Sequence, residues 1–164
     1  MSTEGSLEAE GRVAEFIGPI VEKVREILRA RMPAALGARA PFVEIGKSWT
    51  GVNVNPPSAW VMPVRTDFDG DVEGYLAGRH IITIKMGLTG AEPDLVTDEA
   101  LVYMAAMDAA LVASWPADWA GTLEHGSVLR VWVGSHDYGP LFNLGNVIAR
   151  FPEMDLVIET AEEQ

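Results

Sequence analysis

Trp60-Val61-Met62-Pro63-Val64-Arg65 and Arg79-His80-Ile81-Ile82-Thr83-Ile84-Lys85-Met86 flank the polar segment Asp67-Phe68-Asp69-Gly70-Asp71-Val72-Glu73-Gly74. Trp60, Met62 and Val64 alternate with Ala59, Val61 and Arg65, and Ile82, Ile84 and Met86 share one parity, the period of a strand. Asp69-Gly70 is a turn dipeptide between the two runs. Pro63 has no amide hydrogen to give to a ladder, so its strand lies at a sheet edge or carries a bulge. These features predict one long β-hairpin, the frame on which the remaining elements are placed.

Upstream, Phe42 to Val54 is rich in β-branched and aromatic residues and closes at Asn55-Pro56-Pro57-Ser58, predicting a further strand and a turn. Earlier still, Val13, Phe16, Ile17, Ile20, Val21, Val24, Ile27 and Leu28 follow the helical i, i+3, i+4 series. Gly18-Pro19 falls inside that series, and the unbroken apolar phase predicts a kink rather than a stop. Pro33 and Gly37 end the helix.

Downstream, Gly87 to Val96 reads as a loop. A second helix is expected with Thr97 as N-cap, Asp98 and Glu99 in its first turn, and Pro116 as its stop. Leu101, Met104, Ala105, Leu111, Val112 and Trp115 form its expected buried stripe, with Asp108 at the stripe's edge. Ser127–Val133 and Met154–Thr160 are the expected closing strands. The fold class is therefore α+β: an antiparallel or mixed sheet of about five strands, a long hairpin and two principal helices packed on the sheet. One domain over 1–164 is expected, with 1–7 flexible and 161–164 an acidic tail.

The 164 residues carry 12 Lys and Arg against 24 Asp and Glu, a formal net charge of −12. That sign argues against gripping nucleic acid by its phosphates, which needs cationic side chains to displace counterions. It suits a surface that DNA must pass without sticking. The absence of cysteine excludes disulfides, zinc-thiolate sites and thiol nucleophiles. The polar N-terminus is unlike a secretory signal, and no apolar run reaches bilayer-spanning length.

Catalytic motifs fail in turn. Gly46-Lys47-Ser48 mimics the end of a phosphate-binding loop, but Pro41 stands where the first glycine belongs. Asp67 to Glu73 lacks the glycine and glutamate spacing of a calcium loop. His80, His125 and His136 have no metal-ligand spacing. On a strand the adjacent His136 and Asp137 would point to opposite faces; in a loop they could converge, but no Gly-x-Ser-x-Gly elbow supplies a nucleophile. No catalytic, cofactor-binding or metal-ligating residue is assigned, and no enzymatic activity is expected. The residues singled out are the acids Asp67, Asp69, Asp71 and Glu73, for a lumen or an interface. Trp60, Trp115, Trp119, Tyr138, Leu141 and Phe142 are singled out for subunit or partner contacts.

From about Val13 to Glu159 the chain resembles the tail terminator (tail completion) proteins of long-tailed bacteriophages. The resemblance is carried by the opening amphipathic helix, the hairpin Trp60–Met86 and the block from Arg79 through Gly90, Pro93 and Asp94. The helix Glu99–Trp115 and the strands around His136–Phe142 follow in the same order. It implies a homo-oligomeric ring, commonly of six subunits, that caps the finished tail tube, stops its polymerisation and docks on the head connector. It also implies no cofactor, no membrane, a virion location at the head-proximal end of the tail, and host cytoplasm during assembly. Tail-tube protein and a head stopper or connector are the implied partners, with the genome passing through unbound. The alternative readings are another head–tail connector or tail-tube protein, or a small acidic cytoplasmic enzyme or ligand-binding domain.

Overall fold

The computed structural model describes residues 3–48, 56–72 and 75–163, with side chains from residue 17 onward except those at 69–75. The elements run α1 (Thr3–Leu36), β1 (Glu44–Gly46), β2 (Ser58–Val72), β3 (Tyr75–Gly90) and α2 (Pro93–Ser114). After a 3₁₀ turn at Ala117–Trp119 come β4 (Gly126–Asp137), β5 (Leu141–Asn143), β6 (Ile148–Arg150) and β7 (Glu153–Glu163). The fold is α+β, with two helices on a mixed sheet of seven strands. Three of the seven have only three residues each, which is why the periodicity yields about five.

The predicted hairpin is present. β2 and β3 pair antiparallel from Ser58 opposite Gly87 to Val72 opposite Tyr75. The register shifts between Pro63 and Arg65, so the strand carrying the proline is bulged at Val64. Among the described residues β2 is also an edge beyond Trp60, where β1 covers it only from Ser58 to Trp60, in parallel.

A second long hairpin lies beside the first. β4 pairs with β7 and β5 with β6, and β3 receives β7 along Tyr75–Lys85 and β6 along Leu88–Gly90. Phe151-Pro152 interrupts one arm, and Tyr138-Gly139-Pro140 the other. The long irregular stretch Gly134–Arg150 is thus the bent outer half of a hairpin.

Both helices lie on one face of the sheet. Ile20, Val21, Val24, Ile27, Leu28, Met32 and Leu36 supply the buried stripe of α1, as the i, i+3, i+4 series requires. Val13 and Phe16 lie outside the described side chains. The sheet answers with Ala59, Val61, Ile82, Ile84, Met86, Met154, Leu156 and Ile158, all at most 1% exposed. The Arg25 guanidinium ties β1 to α1 by donating to the Ile45 carbonyl at 2.8 and 2.9 Å.

α1 runs through Pro19, as the unbroken apolar phase predicts, and through Pro33, and it ends at Gly37, whose φ of +63° suits a residue without a side chain. Several other expectations are corrected. α2 starts at Pro93 with Glu92 as N-cap, and Thr97 instead donates its hydroxyl to the Pro93 carbonyl at 2.9 Å. The pyrrolidine ring fits the first turn, where no amide donor is needed. Leu101, Ala105, Val112 and Trp115 are exposed, and the buried face is Ala100, Tyr103, Met104, Met107, Ala110, Leu111 and Ser114. α2 is apolar around most of its circumference, so hydrophobicity alone leaves its phase weakly specified. Alanines 100, 106 and 110 decide it by letting α1 and the sheet approach closely.

Of the strand expected over Phe42–Val54, the described residues show Glu44–Gly46; residues 49–55 lie outside the described residues. β3 reaches Gly90, into the expected loop, and β7 reaches Glu163, into the expected tail.

Candidate interaction surface

The second hairpin bends at an elbow with a built support. Gly139 has a φ of +65°, and a side chain there would press on the Phe151 carbonyl at 3.2 Å. Arg150 fills the inside of the bend. Its guanidinium donates to the Tyr138 carbonyl at 2.7 Å, to the Gly139 carbonyl at 2.9 Å and to the Thr97 hydroxyl at 2.9 Å. The elbow is thereby fastened to α2 near its N-terminal end. Beyond it the tip closes by a 2.9 Å bond from the Leu144 amide to the Val147 carbonyl, with Gly145 at φ +88°.

This arm projects apolar side chains. Leu141, Phe142, Leu144 and Val147 are each at least 40% exposed. Phe142 packs on Phe151 at 5.8 Å between ring centroids, and the Lys85 ammonium lies 5.9 Å from the Phe151 ring. Apolar residues clustered in this way on one projecting element mark an interaction surface rather than scattered exposure. Of the residues singled out from sequence, Leu141 and Phe142 lie on it. Tyr138 does not: it sits at the elbow, half-buried against the core.

The tryptophans divide differently. Trp60 is only 6% exposed, so the subunit or partner contact expected of it is corrected; the exposed large apolar residues of that strand are Val64, at the bulge, and Phe68. Gly46 lies flush on its indole, where an added Cβ would come within 2.9 Å. Trp119 is core, its indole nitrogen donating to the Ser114 hydroxyl at 2.9 Å. Trp115 is 38% exposed and, with Trp119 and Val128, lines a groove of about 390 Å³. Asp118 in the same corner accepts two bonds from Arg31, at 2.5 and 2.9 Å. Arg31 holds the Asp118 carboxyl below its ordinary range.

Among the tip acids, Asp67 is exposed and ion-paired with Arg65 at 3.0 Å. Asp69 and Asp71 stand on β2, their side chains outside the described set, and Glu73 lies outside the described residues.

The histidines occupy three settings. His80 is fully buried on the helix-covered side, its Nδ1 2.9 Å from the Thr66 hydroxyl and its Nε2 2.9 Å from the Thr160 hydroxyl. Burial pushes its pKa down to about 4, so the ring is neutral at physiological pH. His136 stands opposite Met154 on that same side, and Asp137 opposite Glu153 on the other, as strand geometry requires. His136 meets Asp108 of α2 instead, at 3.1 Å. Sequence reasoning places Asp108 at a stripe edge without linking it to His136, because no local spacing signals a contact between α2 and β4. His125 is exposed beside Glu124. Among the described residues no group of three or more His, Asp or Glu is placed to hold a metal ion. Among the described residues, no helix is long and apolar enough to cross a membrane.

No family model matches this sequence, and no curated protein matches it. Among solved structures, the fold is similar to that of a chain in the virion of a native gene transfer agent (GTA) particle. The TM-score is 0.57 at 18% identity, covering 90% of this chain and 97% of that chain.

Proposed function

We propose that this chain is a structural protein of a phage-like virion and, within that class, a tail terminator. It forms a ring on the finished tail tube, stops tube polymerisation and joins the tail to the head connector. The observation that carries the reading is the shared fold over nearly the whole of both chains with a component of a virion particle. The exposed arm Leu141–Val147 supports it, since a capping ring must present apolar surface to a second protein. Leu141 and Phe142 are the contacts for the tube or the connector. Asp67, Asp69, Asp71 and Glu73 belong to the ring's interface or lumen. No catalytic step is assigned.

The test is to polymerise a phage tail-tube protein from the same source with and without the purified chain, and to image the products by electron microscopy. A terminator shortens the tubes and sits at one end only. Incorporation along the tube length would make the chain a tube subunit, and unchanged tubes free of the chain would overturn the reading.

A further inference from the structure

The four long strands stand in the order β2-β3-β7-β4, each antiparallel to its neighbour. Among the described residues, the outer side of β4 and the outer side of β2 beyond Trp60 have no strand partner. An unpaired edge is a template for another chain. Because the number of strands is even, β2 and β4 run in opposite directions. A second copy in the same orientation would therefore set its β2 antiparallel beside β4 of the first. That is the head-to-tail arrangement from which rings close.

The helix-free face supplies the register. Across it, Asp67, Arg79, Glu159 and Arg130 stand side by side, one on each strand. The signs alternate, and Arg79 bonds Glu159 at 2.9 Å. The row thus ends in an acid at one edge and a base at the other. The next row is Arg65, Ile81, Val157 and Trp132, ending in a guanidinium at one edge and an indole at the other. Arg130 already stacks on Trp132 at 4.5 Å, so that ring accepts cations. One antiparallel register sets Asp67 against Arg130 and Arg65 against Trp132 of the neighbouring copy. The same register brings Phe68 opposite Leu129, both large apolar side chains about half exposed.

We infer that copies of this chain join edge to edge, Arg65–Phe68 of β2 pairing antiparallel with Leu129–Trp132 of β4 in the next copy. The bulges at Val64 and Leu129 confine the pairing to this short matched segment, and Pro63 bars its extension along β2. Unmatched edges are thereby rejected. The inference deepens the ring reading and rests on it for closure into a ring.

The absence of cysteine makes the test direct. The full chain carrying both Phe68→Cys and Leu129→Cys keeps the charged pair and is treated with a short bifunctional thiol linker at high concentration, alone and with tail-tube protein. A ladder of covalent multimers is expected from the double variant and monomers from each single variant. A double variant that stays monomeric, or a single variant that dimerises, overturns the pairing. Independently, Asp67→Arg or Arg130→Asp alone should reduce the yield of multimers at least tenfold, and the two together should restore it. A combination as defective as either single exchange also overturns the pairing. Tube capping by the unmodified chain is scored separately. Capping without the ladder sinks the edge pairing alone, and a ladder without capping sinks the terminator reading alone.

Discussion

His80 is the residue whose chemistry most directly links sequence to stability. Its folded pKa of about 4 lies below the ordinary 6.5, so between these values the unfolded chain binds more protons than the folded one. The stability it confers is fully present above about pH 6.5 and drains as pH falls toward 4. At pH 5 the loss amounts to about 2 kcal/mol, at 1.4 kcal/mol per pH unit. Denaturant unfolding of the wild type and of His80→Gln, at pH 7.5 and pH 5, measures it. We expect the wild type to lose more stability than the variant by that amount, and parallel losses would refute the assignment. Trp119→Phe tests a second buried polar contact, removing the indole donor to Ser114. A cost of about 0.5–1.5 kcal/mol is expected from the lost bond, the Ser114 hydroxyl keeping its own bond to the Leu111 carbonyl, read from the denaturant midpoint.

At the scale of elements, the elbow and the arm are separable. Gly139→Ala forces a side chain into a left-handed backbone and toward the Phe151 carbonyl, and should cost about 1–3 kcal/mol. Faster amide exchange at 141–148 would report the loosened arm, whereas unchanged exchange there would show that the elbow does not govern it. Leu141→Ser with Phe142→Ser removes partly exposed side chains of the arm and the Phe142–Phe151 contact, so the melting temperature should fall by only a few degrees, about 2–4 °C, while tube capping fails. A large fall in melting temperature would instead place these residues in the fold. Neutralising the β2–β3 tip by changing Asp67, Asp69 and Asp71 to Asn and Glu73 to Gln should leave the circular dichroism spectrum intact while disturbing assembly. Collapse of the spectrum would contradict that division.

For the whole molecule, one helix-covered face and one open face follow from the same fact. Two helices over one sheet bury a single apolar side, leaving the other face to charged rows and half-buried Ile81, Val157 and Trp132. Salt should weaken contacts that depend on those rows, because exposed pairs are screened beyond about 8–10 Å. Light scattering between 50 and 500 mM salt is expected to show smaller assemblies as salt rises. Assemblies that grow with salt would point to an apolar interface such as the Leu141–Val147 arm.

The sequence alone determined the α1 stripe, the first hairpin and the edge-and-bulge character of the Pro63 strand. Each follows from local backbone sterics and side-chain periodicity, which act within a few residues. Tertiary structure decided the phase of α2, the burial of Trp60, the second hairpin and the joining of His136 to Asp108. α2 is apolar nearly all round, so its phase was set by which residues were small enough to meet α1 and the sheet. Arg150 could identify itself as the elbow's support only when Thr97 and Gly139 were brought to it from elsewhere in the chain. Alignment of charges across four strands likewise depends on pairing register, which hydrogen bonds between distant segments fix and no local spacing encodes.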